Sequence, residues 1–558
     1  MKTKKTAALI LAGMLAAALA GCQNNGGNPS SSGGSAPAPS SATPSSQSTP
    51  SSQDGEKNHV ITVLGKDRRY DCAPFSDRDS YPVWQEVEKL LAKAGVTCEF
   101  ELVPKEQYDT VIKTRMAAAS DLPDVVGLDL TDQEVLDMGK QGLLIDVKEA
   151  IDQYSNGNTM AMWNKYWPNA TKKLTTPEGK IYWYTGLSYR LLNGELTRGT
   201  GTSIQYRKDW LDALKLDAPT TTEELYDVLK AFRDGDANGN GVPDEIALCS
   251  IDSFSNGIAQ CYGLAPKLFD IEIATDKAVT PWTQPGIKPY LEYMKKLVAE
   301  GIIDASLIGA NSEVSNQKIS ENKAGLVHNY VQQNWLEGMT GVEDAEYIPI
   351  LPVGVEGINP VFRREPSMLV YQRFGVTKNC KDVEGVVALF DALYSDEYAE
   401  LSYWGVEGVS FELDDTGRRV KLHLDYSDEQ LAEIKALVGH SICGNVVFPV
   451  VNIQEEWADT LTASGVSQAK QDFEILMQTY EYDFETSQPL AMPTDEERAA
   501  VDQYYTTLET YSQELLVNII LGNKPIEELD AAIEEMKAMG LDEVLAAYQS
   551  RHDRYTAS

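Results

Sequence analysis

The 558-residue chain is short of positive charge: 48 Lys and Arg stand against 84 Asp and Glu, a formal net charge of −36. No basic stripe offsets a field of that sign, which excludes a nucleic-acid partner. Histidine is scarce, with five in the chain. His59, His328, His423, His440 and His552 have no ligand spacing and read as surface or structural residues. Missing too are Gly-x-Ser-x-Gly, His-Glu-x-x-His, a Walker loop and a dinucleotide glycine fingerprint. With 84 carboxylates, pairs suited to acid/base work arise by chance, so none is nominated, and nothing in the chain points to an enzyme. The seven cysteines are too widely spaced for a stapled scaffold or a CxxC metal site. Cys249 with Cys261 is the most plausible local disulfide, and others read as buried thiols.

Long apolar runs are absent beyond the first twenty residues. There, Lys2, Lys4 and Lys5 precede an apolar stretch, Ala7–Ala20, that is too short to span a bilayer and has a small-residue processing site. Leu19-Ala20-Gly21-Cys22 resembles the lipobox of bacterial lipoproteins. That resemblance implies a signal peptide over 1–21, lipidation of Cys22 and a membrane-tethered exported body. Residues 23–57 are Ser, Gly, Pro, Asn, Gln and Thr with almost nothing to bury, so 22–57 reads as a lipidated Cys and a flexible linker. The remaining 500 or so residues exceed one hydrophobic core and predict two lobes.

From His59 the pattern is strand (59–64), helix (82–94), strand (96–102), helix (107–119), strand (124–128), the grammar of a parallel sheet covered by helices. Further strands are predicted at 180–184, 245–249, 323–329, 347–352 and 373–377. Helices are predicted at 207–216, 223–233, 289–300, 331–339 and 383–395, with long ones over 426–438, 466–480, 496–520 and 525–549.

Between the helix 223–233 and the strand that follows, Asp236, Asn238, Asn240, Asp244 and Glu245 crowd five side-chain oxygen donors into ten residues. Gly235, Gly239 and Gly241 let the backbone wrap and offer its carbonyls. With Asp234 as position one, the spacing also satisfies an EF-hand loop, Gly239 being the sixth residue and Glu245 the twelfth. An all-oxygen set with no soft ligand suits Ca2+. The same composition is also that of an exposed acidic Asn-Gly turn.

Nine Trp and 27 Tyr outnumber the 12 Phe, and amphipathic rings suit a wet groove that stacks on the C–H faces of sugars. Candidate binding residues are Trp183 and Tyr184, Trp335 and Trp404, with Arg207 and Arg373 as hydrogen-bond donors. Trp84, Trp210 and Trp457 lie on helical apolar faces and are assigned to the core.

Several landmarks then converge. The run Tyr206–Leu216, Pro219-Thr-Thr, Asp227–Phe232 and the loop 236–245 resembles the signature of extracellular solute-binding lipoproteins of ABC sugar importers, in the large oligosaccharide-binding branch. Leu122–Val126, Gly405-Val-Glu-Gly408 and the finish from Ile520 to Tyr555 are similar to other pieces of that family. The resemblance implies an α/β, two-lobe periplasmic-binding-protein-like fold with hinge strands, an interlobe cleft and a helical C-terminal region. Its calcium pattern falls on Asp236, Asn238, Asn240, the Val242 carbonyl, Asp244 and Glu245, with Asp234 behind them and Ca2+ as a structural ion. Lobe 1 is expected at 58–190, lobe 2 at 191–322, a crossover and return to lobe 1 at 323–400, and a shared helical part at 401–558. The expected activity is capture of a di- or oligosaccharide for delivery to a membrane permease, by a monomer on the outer face of a Gram-positive cell. A surface glycan-capture protein without a permease, a peptide-binding relative and a glycoside hydrolase are the alternatives. No basic patch that would mark a cleft for acidic sugars is obvious, although Arg190, Arg198, Arg207, Arg363, Arg364 and Arg373 are available.

Overall fold

The computed structural model describes residues 58–67, 75–197, 202–272, 274–309, 312–330, 339–342, 345–361, 372–422, 447–457, 472–473 and 490–557. Cys22, the linker, the helix predicted at 426–438, that at 331–339 apart from residue 339, that at 466–480 apart from 472–473, and Trp335 lie outside the described residues. Among the described residues no helix is long and apolar enough to cross a membrane.

The β-branched run that opens the body forms β1 (His59–Lys66), with Ile61, Val63 and Leu64 fully buried. α1 (Pro82–Lys93) starts on a proline and turns Val83, Trp84, Val87, Leu90 and Leu91 onto the sheet. β2 (Val96–Val103), α2 (Lys105–Ala118) and β3 (Val125–Leu128) complete the unit, and β1 pairs in parallel with both strands. α3 (Asp132–Lys140) begins with a reciprocal capping box between Thr131 and Glu134. Three short helices follow, α4 (Val147–Tyr154), α5 (Asn158–Tyr166) and α6 (Ala170–Leu174), ahead of β4 (Tyr184–Thr185).

The chain leaves this lobe through β5 (Leu187–Leu192) and β6 (Glu195–Thr197), joined by an Asn193-Gly194 turn. Both turn residues have positive φ, the conformation a two-residue hairpin needs. β7 (Thr202–Arg207), α7 (Lys208–Leu214), α8 (Thr222–Asp234), β8 (Ile246–Leu248), α9 (Gly257–Cys261), the hairpin β9 (Asp270–Glu272) and β10 (Lys277–Val279), α10 (Ile287–Ala299), α11 (Ser312–Ser320), β11 (Ala324–Tyr330) and β12 (Tyr347–Ile350) build the second lobe. β13 (Arg373–Val376) returns to the first lobe, followed by α12 (Val383–Leu393) and α13 (Asp396–Tyr403). A hairpin of β14 (Phe411–Leu413) and β15 (Arg419–Lys421) precedes β16 (Val451–Glu456). α14 (Asp495–Ile520), α15 (Leu529–Ala538) and α16 (Leu541–Ala557) end the chain.

The first sheet has the order β2-β1-β3-β13-β4, the second β12-β7-β11-β8, and a three-stranded sheet β16-β5-β6 lies where the chain passes from one core to the other. One core gathers residues from Ile61 to Leu187, then Phe374 to Val451 and Met492; the other gathers Ile204 to Val353 and Leu508 to Val544. The chain therefore passes between cores three times. The third passage is α14 itself: Lys140 pairs with Asp495 and Arg498 forks onto Asp137 at its first turns, while Leu508 to Ile520 are buried in the second core.

Several expectations are corrected. β11 and β12 hydrogen-bond to β7, so the return to the first lobe begins at Arg373 rather than near 323. The part after residue 401 is not wholly helical, since β14, β15 and β16 fall within it. The helix predicted over 525–549 is two, broken at Gly540, whose φ of 99° is open to glycine alone and whose Cβ would strike the Tyr504 ring at 2.3 Å. Cys249 and Cys261 are free thiols in the second core. Burial pushes both up to about 12, and the Cys261 thiol instead donates to the Gly257 carbonyl at 3.3 Å. Trp84 and Trp210 are core residues as expected, whereas Trp457 is only half-buried, beneath the Arg418 guanidinium.

Candidate functional site

In an open α/β sheet the carboxyl ends of parallel strands form the ligand-facing edge, because the connecting loops diverge there. For the first sheet that edge holds Lys66 at the end of β1, Asp129 just past β3, and Asp132 at the start of α3. Lys66 pairs with Asp129. β13 runs antiparallel to β3, so its first residue, Arg373, sits beside Leu128 at the same edge, and its Nε donates to Asp132 Oδ1 at 2.6 Å. Tyr108 ties the edge to the interior, its buried hydroxyl donating to the carbonyl of Leu64 at 3.2 Å and to that of Gly127.

The second sheet separates its two ends in the same way. β8 and β11 are parallel and β7 is antiparallel to β11, so Arg207, the last residue of β7, lies at the amino end of β11. Arg207 is 1 % exposed. Its guanidinium forks onto Asp209 at 2.7 and 2.5 Å, donates to Asn322 Oδ1 at 2.6 Å and lies 4.6 Å from the Trp210 ring centre. Every face of that group is spent within the lobe, so Arg207 is a structural anchor and not a ligand donor.

The acidic loop shares this end of the sheet. It follows α8, whose apolar Leu225, Val228, Leu229 and Phe232 pack into the core, and it enters β8. Asp236 (φ 48°), Gly239 (φ 71°) and Gly241 (φ 81°) take left-handed conformations that curl the backbone inward. Both oxygens of Asp236 accept the Gly241 N–H, at 3.0 and 2.9 Å. The Asn238 and Asn240 side-chain oxygens accept the N–H groups of Asn240 and Val242, at 2.9 and 2.7 Å. Their amide nitrogens both donate to Asp244 Oδ1, at 3.2 and 2.9 Å. Glu245 is 2 % exposed and takes N–H groups from Asn238 and Asp244 at 3.0 and 3.1 Å. The Val242 carbonyl accepts the Asp244 N–H at 2.9 Å. Asp234 turns away to Arg233, 2.8 Å from its Nε, which leaves position one of the EF-hand register outside the loop.

Among the described residues no three Asp, Glu, His or Cys side chains converge tightly enough to hold a metal ion. The donor chemistry nevertheless fits a hard cation: three carboxylates and two amide oxygens with no soft ligand. One positive group lies beside the loop, the Lys323 ammonium 3.4 Å from Asp244 Oδ2.

The chain matches the family described as bacterial extracellular solute-binding proteins over residues 78–400, more than half its length. It belongs to that family. The solute-binding protein is 23% identical over 488 residues to the fructooligosaccharide ABC transporter substrate-binding protein FusA of Streptococcus pneumoniae, covering 85% of this chain and 87% of that one. It is 25% identical over 334 residues to the polygalacturonan/rhamnogalacturonan-binding protein YtcQ of Bacillus subtilis, covering 59% of this chain and 63% of that one. Its fold is that of the alginate-binding protein AlgQ2, solved without calcium ion, with a TM-score of 0.63, 21% identity, and 89% and 98% of the two chains covered. The two-lobe α/β architecture is thus that of its family.

The aromatic residues singled out in the solute-binding protein are mostly interior. Trp183 and Tyr184 are fully buried in the first core, and the Tyr184 ring stacks on Phe390 at 3.6 Å with an interplanar angle of 5°. Trp404 is buried with its ring edge-on to Tyr403 at 5.1 Å and to Phe411 at 5.9 Å. These three rings are packing, since stacked and edge-on contacts with protein leave no face for a ligand. Of the six named residues, Arg373 stands at the ligand-facing edge. Trp335, Arg198, Arg363 and Arg364 lie outside the described residues, and Arg190 is placed by its backbone on β5. No motif had marked the contact of α6 with α16, where the Lys172 ammonium lies 4.6 Å from the Tyr555 ring centre and the neighbouring Lys173 and Arg551 are near enough to feel each other's charge and that of Asp132. Their separation of 378 positions explains why spacing in sequence cannot find them.

Proposed function

We propose that the chain is the lipid-anchored substrate-binding component of an ABC importer for a di- or oligosaccharide. The observation that carries the reading is the three-fold passage of chain between two separate cores, with Arg373 and Asp132 at the carboxyl edge of the first sheet. Few crossing strands between large lobes make a hinge, and ligand that contacts both lobes shifts the population toward a closed form. The carbohydrate nature of the ligand is supported by the relatives FusA and YtcQ, whose names specify fructooligosaccharide and polygalacturonan/rhamnogalacturonan. Arg373 donates to ligand hydroxyls, and Trp335, a few residues past β11, supplies a stacking ring. The closed form is then read by membrane permease subunits, and no bond of the sugar is broken.

Anchoring proceeds through lipid on Cys22 at the outer face of the cell membrane. Asp236, Asn238, Asn240, Asp244 and Glu245, with the Val242 carbonyl, hold Ca2+, which supplies a fixed charge that pins the end of α8 to the start of β8. A thermal-shift and calorimetric screen of the soluble body against neutral glycans, acidic glycans and peptides tests the reading. Saturable stabilisation by a glycan is expected, without turnover. A response confined to peptides, or hydrolysis of the bound glycan, overturns it.

A further inference from the structure

α14 is a single helix of 26 residues, about 39 Å long, that reaches across both lobes. Its two halves are built differently. From Val501 onward the apolar side chains turn to the second core: Val501, Tyr504 and Tyr505 pack against it, and Leu508, Leu515, Leu516, Ile519 and Ile520 are buried in it. The Tyr504 ring also seats on Gly540, between α15 and α16. Ahead of Val501 the contacts with α3 are charged. Lys140 pairs with Asp495, and Arg498 forks onto Asp137, with 2.7 Å from Nη2 to Oδ2. Asp495 is mostly exposed and the other three are partly so. α3 itself is fixed in the first core by Val135 and Leu136.

α16 is tied to the charged half of α14 and to the segment that leads into it. Arg554 pairs with Glu497 and donates to the Met492 carbonyl at 2.8 Å. Arg551 Nε donates to the Ala491 carbonyl at 2.9 Å, and the Ala491 N–H donates to the Arg551 carbonyl at 3.2 Å. The other end of α16 lies in the second core through Leu541 and Val544. Both helices therefore belong to the second lobe and reach the first with polar groups, to which α6 adds the Lys172 ammonium, 4.6 Å from the Tyr555 ring centre. Met492 is an apolar anchor of a different kind. Its side chain is buried in the first core, two residues ahead of the Thr494 cap, so it holds the arm at a point without fixing the angle.

A helix is stiff, so a change in the angle between the lobes must be taken up at one end of α14. Pulling its apolar side chains from the second core costs far more than parting two solvent-screened ion pairs, which contribute little each. The end that yields is the charged one. We propose that the α3–α14 ion pairs are the slipping joint of the hinge: α14 and α16 stay with the second lobe, swivel about Met492, and part from α3 or re-form on it as the lobes move. Asp137, Lys140, Asp495 and Arg498 are then positioning residues, which set the ratio of conformers without touching ligand. That ratio multiplies into the apparent affinity, because ligand binds tightly only to the conformer that places both lobes around it. The inference rests on the substrate-binding reading for this last consequence, while the joint itself is tested without any sugar.

The test is double electron–electron resonance on the soluble body. Spin labels are carried on a keto-bearing amino acid at the exposed positions of Glu88 on α1 and Lys288 on α10, which leaves the native thiols alone. Arg498→Gln is expected to change the ratio of interlobe distances roughly two- to tenfold, the range open to a forked, half-exposed ion pair. High salt should move the wild type in the same direction and the variant less. The swap Asp137→Arg with Arg498→Asp re-forms the pair in reverse and should return the wild-type distribution, which a merely structural loosening would not do. Lys140→Gln serves as the second variant should Arg498→Gln melt early, and is expected to shift the ratio the same way. Distances unmoved by the variants and by salt overturn the joint, as does a shift that the swap leaves in place. Faster hydrogen exchange over 508–520 alongside the shift overturns it too, since the apolar end would then be the one that gives way. Binding of no glycan in the separate screen overturns the substrate reading and leaves these distances standing.

Discussion

The Lys323 ammonium lies 3.4 Å from Oδ2 of Asp244, so the acidic loop after α8 receives its counter-charge from the foot of β11. Lys323 is also 3.1 Å from Glu321, and the neighbouring Asn322 carbonyl accepts the Asn238 amide at 3.0 Å. Asn322 in turn meets Arg207. A single turn, 321–323, thereby links the loop to the end of the strand that enters the second lobe. Burial alone would raise the Asp244 carboxyl; hydrogen bonds from Asn240, Asn238 and Lys323 outweigh it and hold that group below the usual carboxylate range.

An ammonium beside Asp244 would compete with a metal ion for that carboxylate. Lys323→Met should therefore lower the melting temperature in EDTA and tighten calcium binding, two effects of opposite benefit to the protein. Melts with and without chelator, beside a calcium titration, separate them. Equal calcium affinity in wild type and variant would show that Lys323 is no competitor.

Glu245 is the loop's buried carboxylate, and its removal strands the N–H groups of Asn238 and Asp244. Glu245→Ala is expected to cost about 1–3 kcal/mol. Combined with Asp236→Ala it should abolish the stabilisation that calcium confers. The loop sits at the end of the second sheet opposite its carboxyl edge, so glycan affinity at a temperature where the variant is folded should change little. Loss of glycan affinity on chelation, with the fold intact by circular dichroism, would contradict that placement.

The first lobe was legible because its strands and helices are local: β-branched runs, helical spacing and the Thr131–Glu134 capping box each lie within one element. The acidic loop between α8 and β8 was legible for the same reason, its oxygen-bearing side chains falling within ten residues. Aromatic composition misled for Trp183, Tyr184 and Trp404 because a ring suited to a sugar face is equally suited to a core. Arg207 misled because its partners include Asn322, more than a hundred positions away. The contact of Lys172 with Tyr555 was illegible outright, since only the return of α16 to α6 brings those residues together.

Asp391 carries a comparable long-range load inside the first lobe. Its carboxylate is 2 % exposed and accepts the Ser155 hydroxyl at 2.9 Å, the Asn156 N–H at 2.7 Å, and the N–H and hydroxyl of Thr159 at 3.0 and 2.7 Å. An anion at the start of α5 satisfies N–H groups that the helix cannot pair itself. Asp391→Ala should cost roughly 2–4 kcal/mol in urea unfolding, through stranded donors and a lost cap. A cost below the scatter of surface substitutions would mean that water replaces the carboxylate.

His328 gives the protein an acid limit. It lies on β11 opposite Ile204, close against Gly257, where a Cβ would come within 3.2 Å of its ring. Its Nε2 is buried without a hydrogen-bond partner among the described residues. Burial pushes its pKa down from 6.5 to about 4. A proton then binds the unfolded chain first as the pH falls, so the stabilising contribution is complete above 6.5 and is lost progressively toward 4. The full loss from this group is roughly 3 kcal/mol. His328→Gln cannot titrate, and its unfolding free energy should therefore fall less than that of wild type between those two pH values, by about that amount. Parallel curves for the two proteins over the whole range would show that the ring takes up its proton in the folded state at no cost.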